Sequence, residues 1–218
     1  MPSLVCSCPA NAALTTIPKA TCPENFGQIQ KIAFVRLQSS AGVKNCFTSS
    51  NDIKLLASWS ALLASATDTK VVITPYVKNP TTDGGDARTV GGGNEGLGGA
   101  TTVLGSNPTN FLARFDEIPQ SIIAKIKPLM CEARFNNLGV YLFNENGQIA
   151  ALQDPTTATT YYPIPIQSLF VGDKQFAGFD NLDFNNISWS FPPNYSDQLA
   201  IVTPTDFNPL TDLVPASN

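Results

Sequence analysis

The chain has 218 residues, of which 43% are apolar and only 14% are charged, with a formal net charge of −4. This length is enough to bury a core, and the low charge together with 13 Phe, 5 Tyr and 2 Trp excludes a disordered protein. The sequence contains no histidine, which excludes Ser-His-Asp and Cys-His catalysis and histidine metal sites.

The charges are unevenly distributed along the sequence. Residues 1–134 contain 12 Lys or Arg and 9 Asp or Glu, a net of +3, whereas residues 135–218 contain Lys174 alone against 8 acids, a net of −7. No basic stripe is present to neutralise phosphates, so specific nucleic-acid recognition is not expected. Opposite charges on the two parts favour head-to-tail association, and an acidic surface with no bearing on partners is the alternative.

Residues 1–27 are predicted to form an extended arm, because prolines interrupt the segment and it has no apolar period. Its first residues lack a basic region and a long apolar run, so no signal peptide is expected. The five cysteines are Cys6, Cys8, Cys22, Cys46 and Cys131. The first four could bind zinc as thiolates, but their spacing fits none of the usual paired knuckles, and reduced structural thiols are the alternative.

A strand, a helix and a second strand are predicted after the arm. Residues 28–37 alternate in a β-rich setting, and residues 53–64 carry apolar side chains at helical spacing after possible caps at 49–52. Residues 70–77 form a β-branched run that Pro75 interrupts, which indicates an edge strand or a bent one.

Residues 80–110 are predicted to be a long glycine-rich loop that projects from the domain and becomes ordered by contact with another subunit; a compact hairpin tip that packs on its own domain is the alternative. Ordering glycine costs the most backbone entropy, so a partner is expected to restrain so many of them. The segment contains the spacing G-x-G-x-x-G at 91–96, but no helix is predicted after it, so a nucleotide site is not expected. The glycines assigned to this assembly loop are Gly84, Gly85, Gly91, Gly92, Gly93, Gly96, Gly98 and Gly99.

A second amphipathic helix is predicted over 118–130, with Pro119 in its first turn and a stop or kink at Pro128. Apolar stripes of both helices are expected to face a sheet in the core. They are Ile53, Leu56, Trp59 and Leu63 in the first helix, and Ile122, Ile123 and Ile126 in the second.

The last third of the chain is predicted to be entirely β. Residues 138–143 and 148–152 flank an Asn-Gly pair, the strongest short signal for a hairpin. Further strands are predicted at 164–171 and at 182–191, with a bulge at Asn185-Asn186. Ile201-Val202, Phe207 and Leu210 indicate either a terminal strand or a docking tail.

These elements predict an α+β, mostly β fold: a β-sandwich or partly closed barrel with two helices and a long Gly-rich loop. The predicted organisation is an arm (1–27), a single β-rich domain (28–200) with the Gly-rich insertion 80–110, and a C-terminal tail (201–218).

Candidate chemistry is limited to a few carboxylate pairs, which sequence alone cannot place at a catalytic separation. The pairs are Asp83 with Asp86, Asp116 with Glu117, and Asp180 with Asp183. Aromatic residues that could stack on sugars keep a carbohydrate-binding function open; they are Tyr161, Tyr162, Trp189 and Tyr195. No catalytic residue, cofactor or metal site is predicted, and the chain is not expected to be an enzyme.

Four segments taken together resemble a known family, although no single motif does so alone. They are residues 6–9 (CSCP), residues 22–31 (CPENFGQIQK), the Gly-rich insertion and residues 206–210 (DFNPL). Together they resemble virion proteins of tailed phages that infect Bacteroidetes, including crAss-like phages, and among these the ring- or tube-forming tail components. The resemblance implies a tail-tube-like fold of two packed sheets flanked by a helix. In that fold, strand pairing between subunits closes a ring, and long loops reach the neighbouring subunits.

The function that the resemblance implies is that of a structural virion subunit, assembled in the host bacterial cytoplasm, whose ring or tube helps build the DNA conduit. Its partners are then copies of itself and neighbouring virion proteins, with non-specific passage of DNA and no membrane. An acidic lumen would repel phosphates, and the expected lumen-facing acids are Asp154, Asp173, Asp180 and Asp183. Carboxylates that solubilise loops on the outer face are the alternative for these four residues. The alternatives are a capsid or head-fibre accessory protein and a surface β-sandwich that binds carbohydrate.

Overall fold

The computed structural model describes residues 13, 16–19 and 24–214. The strands are β1 (Ile29–Arg36), β2 (Val72–Ile73), β3 (Lys78–Thr82), β4 (Ala87–Gly91), β5 (Thr101–Ser106), β6 (Thr109–Asp116), β7 (Leu138–Asn144), β8 (Ile149–Gln153), β9 (Tyr161–Tyr162), β10 (Ile164–Val171), β11 (Phe184–Phe191) and β12 (Leu199–Val202). The α-helices of the described residues are α1 (Leu56–Ala64), α2 (Gln120–Ile126) and α3 (Leu129–Arg134). The described chain divides into two compact units, of which the larger comprises 26–86 and 107–214 and the smaller includes 87–106.

Ten antiparallel strands of the larger unit form two sheets joined through β10. In the first sheet, β1 pairs along β7, and β8 and the beginning of β10 pair with different parts of β7. Strands β2, β9 and β12 extend this sheet. The second sheet has the order β10, β11, β6, β3.

A bulge in β10 takes this strand from one sheet into the other. Gln167 lies opposite Ser190 and Phe170 lies opposite Ser188, so β10 has one residue more than β11 between these pairs. Ser168 adopts the left-handed backbone conformation at this point, with a φ of 56°. A bulge of this kind bends a strand and increases its twist, which lets one strand serve two sheets.

The sheets are sandwich-like and open. The main core lies where Phe34 of the first sheet meets Trp189 of the second, with ring centroids 6.0 Å apart, and Trp189 stacks on Phe111 at 3.9 Å. Ile123 and Ile126 of α2 are buried in the same core. Among the described strands the sheets do not close into a barrel. The prediction of a mostly β α+β fold is therefore confirmed, and the tail-tube-like arrangement stays a prediction.

A second core covers the opposite face of the first sheet. Trp59 of α1 contacts the rings of Phe47, Tyr141 and Phe143 at centroid distances of 4.7, 5.4 and 5.5 Å. Its indole N–H donates to the carbonyl oxygen of Ile53 at 2.8 Å. Both faces of the central strand β7 are therefore covered, and every residue of β7 is buried.

The C-terminal segment, residues 203–214, completes this cover. Leu213 is fully buried in the second core. The buried ammonium of Lys31 donates to the carbonyl oxygen of Leu210 at 2.5 Å, and the hydroxyl of Tyr76 donates to the same oxygen at 3.0 Å. The carboxylate of Asp206 accepts the Leu56 N–H at 2.9 Å, which caps the N-terminus of α1 from 150 residues away.

The helices differ from the prediction at their ends. Residues 53–55 precede α1 in an irregular turn, although Ile53 is buried as expected. The predicted second helix is two helices, because Pro128 lacks the N–H needed to continue the first. Ile123 and Ile126 are buried, whereas the prediction of a buried Ile122 is wrong, since 41% of its surface is exposed.

Strand β11 runs without the predicted bulge. It pairs with β6 over eight consecutive residues, and alternate side chains from Asn185 to Phe191 are buried. The slip in the apolar pattern arises because Asn185 occupies a core position, where its amide donates to the carbonyl oxygen of Gly172 at 3.1 Å. The bulge lies instead on the neighbouring strand, at Ser168.

Candidate functional site

The predicted glycine-rich loop is a β-hairpin over residues 87–106. Strands β4 and β5 pair along their lengths, and two single turns of 3-10 helix, Gly93–Glu95 and Leu97–Gly99, connect them. The threonines and valines of both strands favour extended backbone. The prediction of a long loop is therefore wrong for these residues.

The eight predicted glycines divide between two places. Those before the hairpin, in the larger unit, are Gly84 and Gly85, and those that end β4 or form its connection to β5 are Gly91, Gly92, Gly93, Gly96, Gly98 and Gly99. A Cβ at Gly96 would clash with the carbonyl oxygen of Ala100, and Gly98 has a φ of 66°. The connection therefore needs glycine for its own geometry, and contact of these residues with another subunit stays a prediction.

The hairpin leaves apolar side chains in solvent. Val90, Val103 and Leu104 are all exposed, and none of the side chains described in β4 or β5 is buried. A two-stranded hairpin on its own is at best marginally stable in water. This segment is thus a candidate for contact with another molecule.

The loop between β10 and β11, residues 172–183, carries the most exposed aromatic side chains of the described chain. We call it the aromatic loop. Phe176 and Phe179 both lie in solvent, Phe179 completely. The base of the loop is firmly held, since Gln175 and Phe184 exchange two backbone hydrogen bonds and the Asp183 carboxylate accepts the Ala177 N–H at 3.2 Å.

Three of the four predicted lumen-facing acids lie on the aromatic loop. Asp173 forms an ion pair with Lys127 at 2.5 Å, which lowers the pKa of Asp173 through the hydrogen bond and the lysine's charge. Asp183 holds the base of the loop, and Asp180 is exposed directly after Phe179.

The fourth acid, Asp154, belongs to a turn after β8. Its carboxylate accepts hydrogen bonds from the Thr156 hydroxyl at 2.6 Å and from the backbone N–H groups of Thr156 and Thr157 at 2.7 and 3.1 Å. These bonds lower the pKa of Asp154, the Thr156 hydroxyl most of all. The structure thus brings Asp173, Asp180 and Asp183 together on one loop and gives Asp154 a structural role elsewhere; exposure of any of them to a lumen stays a prediction.

A groove of about 450 Å³ lies beside Asp154. Its apolar wall is formed by Leu37, Leu152 and the prolines Pro155, Pro163 and Pro165. Such a wall accepts an apolar side chain without leaving polar groups unpaired.

The polar side of the groove combines Asp154, Tyr162 and Lys44. The Tyr162 hydroxyl donates to the Asp154 carboxylate at 3.4 Å, and the Lys44 ammonium lies 5.5 Å from the centre of the Tyr162 ring. Burial, followed by the neighbouring Cys46 and Asp154, raises the pKa of Tyr162. Lys44 lines the groove and is exposed, so the groove presents its ammonium to an incoming molecule beside the hydrogen-bonded Asp154 carboxylate.

Most aromatic residues proposed to stack on sugars are engaged in the protein. Trp189 is buried and stacks on Phe111, and Tyr195 stacks on Phe191 at 4.4 Å. Tyr161 packs against the second core. Tyr162 is the one of these four that lines the groove, and the expectation that Trp189 could face a sugar is wrong.

The carboxylate pairs serve local structure. Asp83 accepts the backbone N–H and the side-chain amide of Asn110 at 2.6 and 2.9 Å, and these bonds lower the pKa of Asp83. Asp83 and Asp86 both line a polar cavity of about 330 Å³. Asp116 pairs with Arg114 at 2.9 Å. No arrangement of these groups suggests a nucleophile and base.

The outer face of the second sheet carries two exposed apolar residues in line. Phe170 of β10 and Leu112 of β6 both lie opposite Ser188 of β11, so all three side chains share one face. The inner neighbours, such as Phe111, are fully buried. Sequence reasoning missed this face and the aromatic loop; the signal was present as Phe residues in polar strands and in the run FAGFD at 176–180.

The structure describes two of the five cysteines. Cys46 and Cys131 are free thiols, whereas Cys6, Cys8 and Cys22 lie outside the described residues, so the zinc alternative stays a prediction. In the described part of the chain, no group of three or more potential metal ligands is found. Nor does any helix there have the length and apolar character to cross a membrane.

Comparison with known proteins identifies no relative. No family model matches the sequence, and no curated protein or solved structure is significantly similar to it.

Proposed function

We propose that this chain is a structural subunit of a tailed-phage virion that forms a ring or tube in the tail and helps build the DNA conduit. The virion context comes from the resemblance of segments at both ends of the chain and of the Gly-rich insertion. The proposed tail-tube-like organisation uses the two packed sheets, with joints between subunits formed by exposed strands and loops.

The observation that carries the proposal is the unused apolar surface of the described residues. Phe179, Phe176, Phe170 and Leu112 are exposed on the aromatic loop and the second sheet, and Val103 is exposed on the hairpin. Phe170 and Leu112 share one face of the second sheet, and neighbouring apolar side chains that are left exposed mark sites of interaction in soluble proteins. The composition agrees, because the cores of protein interfaces are depleted of charged residues.

The acidity of residues 135–218 favours a surface along which DNA slides rather than one that binds DNA. With one lysine against eight acids in residues 135–218, a surface built from this part repels phosphates and lets a duplex slide. In this proposal, acids of residues 135–218 line the lumen. Asp154 is the exception, because hydrogen bonds within its own turn already engage its carboxylate.

A carbohydrate-binding module is the second candidate, and one observation favours it. The groove beside Tyr162 combines an aromatic ring with a lysine and a carboxylate, which can serve as hydrogen-bonding partners for sugar hydroxyls. The two candidates differ in oligomeric state, because a binding module functions as a monomer.

The test is the mass of the purified protein in solution together with negative-stain images. A ring subunit is expected to give closed particles with a central opening at high protein concentration. A chain that stays monomeric at all concentrations contradicts the proposal, and a monomer that binds glycans on an array replaces it with the second candidate. Mass spectrometry of tails and capsids separated from purified phage particles then distinguishes a tail position from a capsid position.

A further inference from the structure

We propose that Phe179, on the aromatic loop of one copy of this chain, inserts into the groove beside Tyr162 of a second copy, with Asp180 facing Lys44. This inference rests on the proposed assembly function and names the contact that performs it. It assigns Asp180 to an interface between copies instead of a lumen.

The aromatic loop has the properties of an anchor that is ready before binding. Phe179 is fully exposed although the loop base is closed by the Gln175–Phe184 backbone pair and the Asp183 carboxylate. Holding an apolar ring in water is unfavourable, and a loop tethered at both ends loses little freedom when the ring is buried.

The groove has the size and lining that such a ring requires. A cavity of about 150 Å³ lined by apolar side chains holds benzene, whereas this groove measures about 450 Å³. It therefore has room for the Phe179 ring and part of its backbone. Pro155, Pro163 and Pro165 provide rigid apolar surface that needs no ordering on contact.

Charge selects a second copy as the occupant. Lys44 lies exposed at the rim of the groove, and the residue after Phe179 is the exposed Asp180. A ring entering the apolar wall thus brings the Asp180 carboxylate to the Lys44 ammonium, while the Asp154 carboxylate of the groove is already engaged by Thr156, Thr157 and Tyr162. Complementary charge of this kind fixes the orientation of an interface more than its strength.

The geometry of the contact predicts the type of assembly. An anchor and a groove at different places on one chain give a head-to-tail contact, which closes into a ring or continues as a filament. Each copy uses both surfaces once, so a single pair of sites is sufficient for a ring.

The first experiment removes the anchor. Phe179→Ser replaces a side chain that lies entirely in solvent, so the variant should fold like the wild type. Its association constant from sedimentation velocity should fall by roughly 30-fold or more, as for an aromatic anchor at an interface centre. Phe135→Ser, at another exposed phenylalanine on the end of α3, is the matched control and should associate like the wild type. Unchanged association of Phe179→Ser overturns the inference.

The second experiment exchanges the charges. Lys44→Glu and Asp180→Lys should each weaken association at low salt by roughly two- to five-fold, the range of a solvent-accessible pair, and the double variant should recover it. Lys125→Glu on α2 is the charge control. A double variant no better than the single ones overturns the pairing of these two residues.

The third experiment locates the contact directly. Equal amounts of isotopically light and heavy protein are mixed and treated with a carbodiimide, which joins amines to carboxylates without a spacer. The expected product is a Lys44–Asp180 crosslink that unites a light and a heavy peptide; the absence of mixed-mass crosslinks overturns the inference. If the wild type forms rings and the variants assemble equally well, this contact is refuted but the proposed function is not. If the wild type stays monomeric, both are refuted.

Discussion

The outer faces of the two sheets differ in what covers them. The first sheet has α1 and the C-terminal segment on its outer face, so that β7 is buried over its full length. The second sheet presents Phe170 and Leu112 to solvent, and β11 alternates between buried and partly exposed side chains. Within one chain, the first sheet is covered on both faces, whereas the outer face of the second sheet stays exposed and available for contact with another molecule. The following measurements test that difference.

The largest effect is expected at the centre of the covered face. Trp59→Ala removes a fully buried ring that contacts Phe47, Tyr141 and Phe143, and should lower the free energy of unfolding by about 3–5 kcal/mol. Urea unfolding followed by circular dichroism measures this. A cost near zero would mean that α1 does not cover the sheet.

The next effect concerns the attachment of the C-terminal segment. Lys31→Met removes the ammonium that donates to the carbonyl oxygens of Leu210 and Leu213, and should cost about 1.5–3 kcal/mol, the range for hydrogen bonds to charged groups. Limited proteolysis should then cut the segment faster. Equal stability and equal cleavage rates would contradict this attachment.

The same lysine gives a pH dependence of known sign. Burial lowers the pKa of Lys31, so the unfolded chain binds more protons than the folded chain at pH values between the lowered pKa and the ordinary lysine pKa of about 10.4. The stability of the wild type relative to Lys31→Met should therefore rise as pH increases from the lowered pKa towards that value. Denaturant unfolding of both proteins across this range measures the difference, and a falling difference would contradict the sign.

A smaller effect is expected where the segment caps α1. Asp206→Ala removes the acceptor of the Leu56 N–H and should cost about 1 kcal/mol, a typical loss for a helix cap. Asp206→Asn keeps an acceptor oxygen and should retain most of the stability. If both variants lose the same amount, the cap is not the cause.

The smallest effect is expected on the bare face. Leu112→Ser should change the stability of the monomer by less than about 0.5 kcal/mol, because half of the side chain is already exposed. Phe111→Ala, one residue away on the inner face, is the matched comparison and should cost about 3–5 kcal/mol. Similar losses for the two variants would show that the outer face is also covered.

Strands with clear apolar periodicity were predicted well from the sequence. The bounds of β10 agree with the prediction, those of β1 and β8 differ by one residue at both ends, and β7 ends one residue later than predicted. Errors arose where tertiary contacts replaced the local signal. In the sequence, Asn185 interrupts the alternation of apolar and polar residues. In the fold it occupies a core position, because Gly172 supplies a hydrogen-bond partner.

The candidate site was less accessible to prediction. The glycines of 84–99 and the acids of the aromatic loop were noted, but the exposed Phe179 was not, because an apolar residue in a sequence is expected to be buried. The groove was also missed. Its wall comes from segments around residues 37, 44, 155 and 163, which no sequence window contains together.

The amino-acid sequence by itself determined the mostly β class, the lack of histidine chemistry, the hairpin at Asn146-Gly147 and the main strands, since each depends on residue types at short spacing. The tertiary structure alone decided that β7 is covered on both faces, that Asp206 caps a helix 150 residues away and that Phe179 remains in solvent. The physical reason is that burial depends on which segments meet across the fold, whereas periodicity reports only which side of an element is apolar.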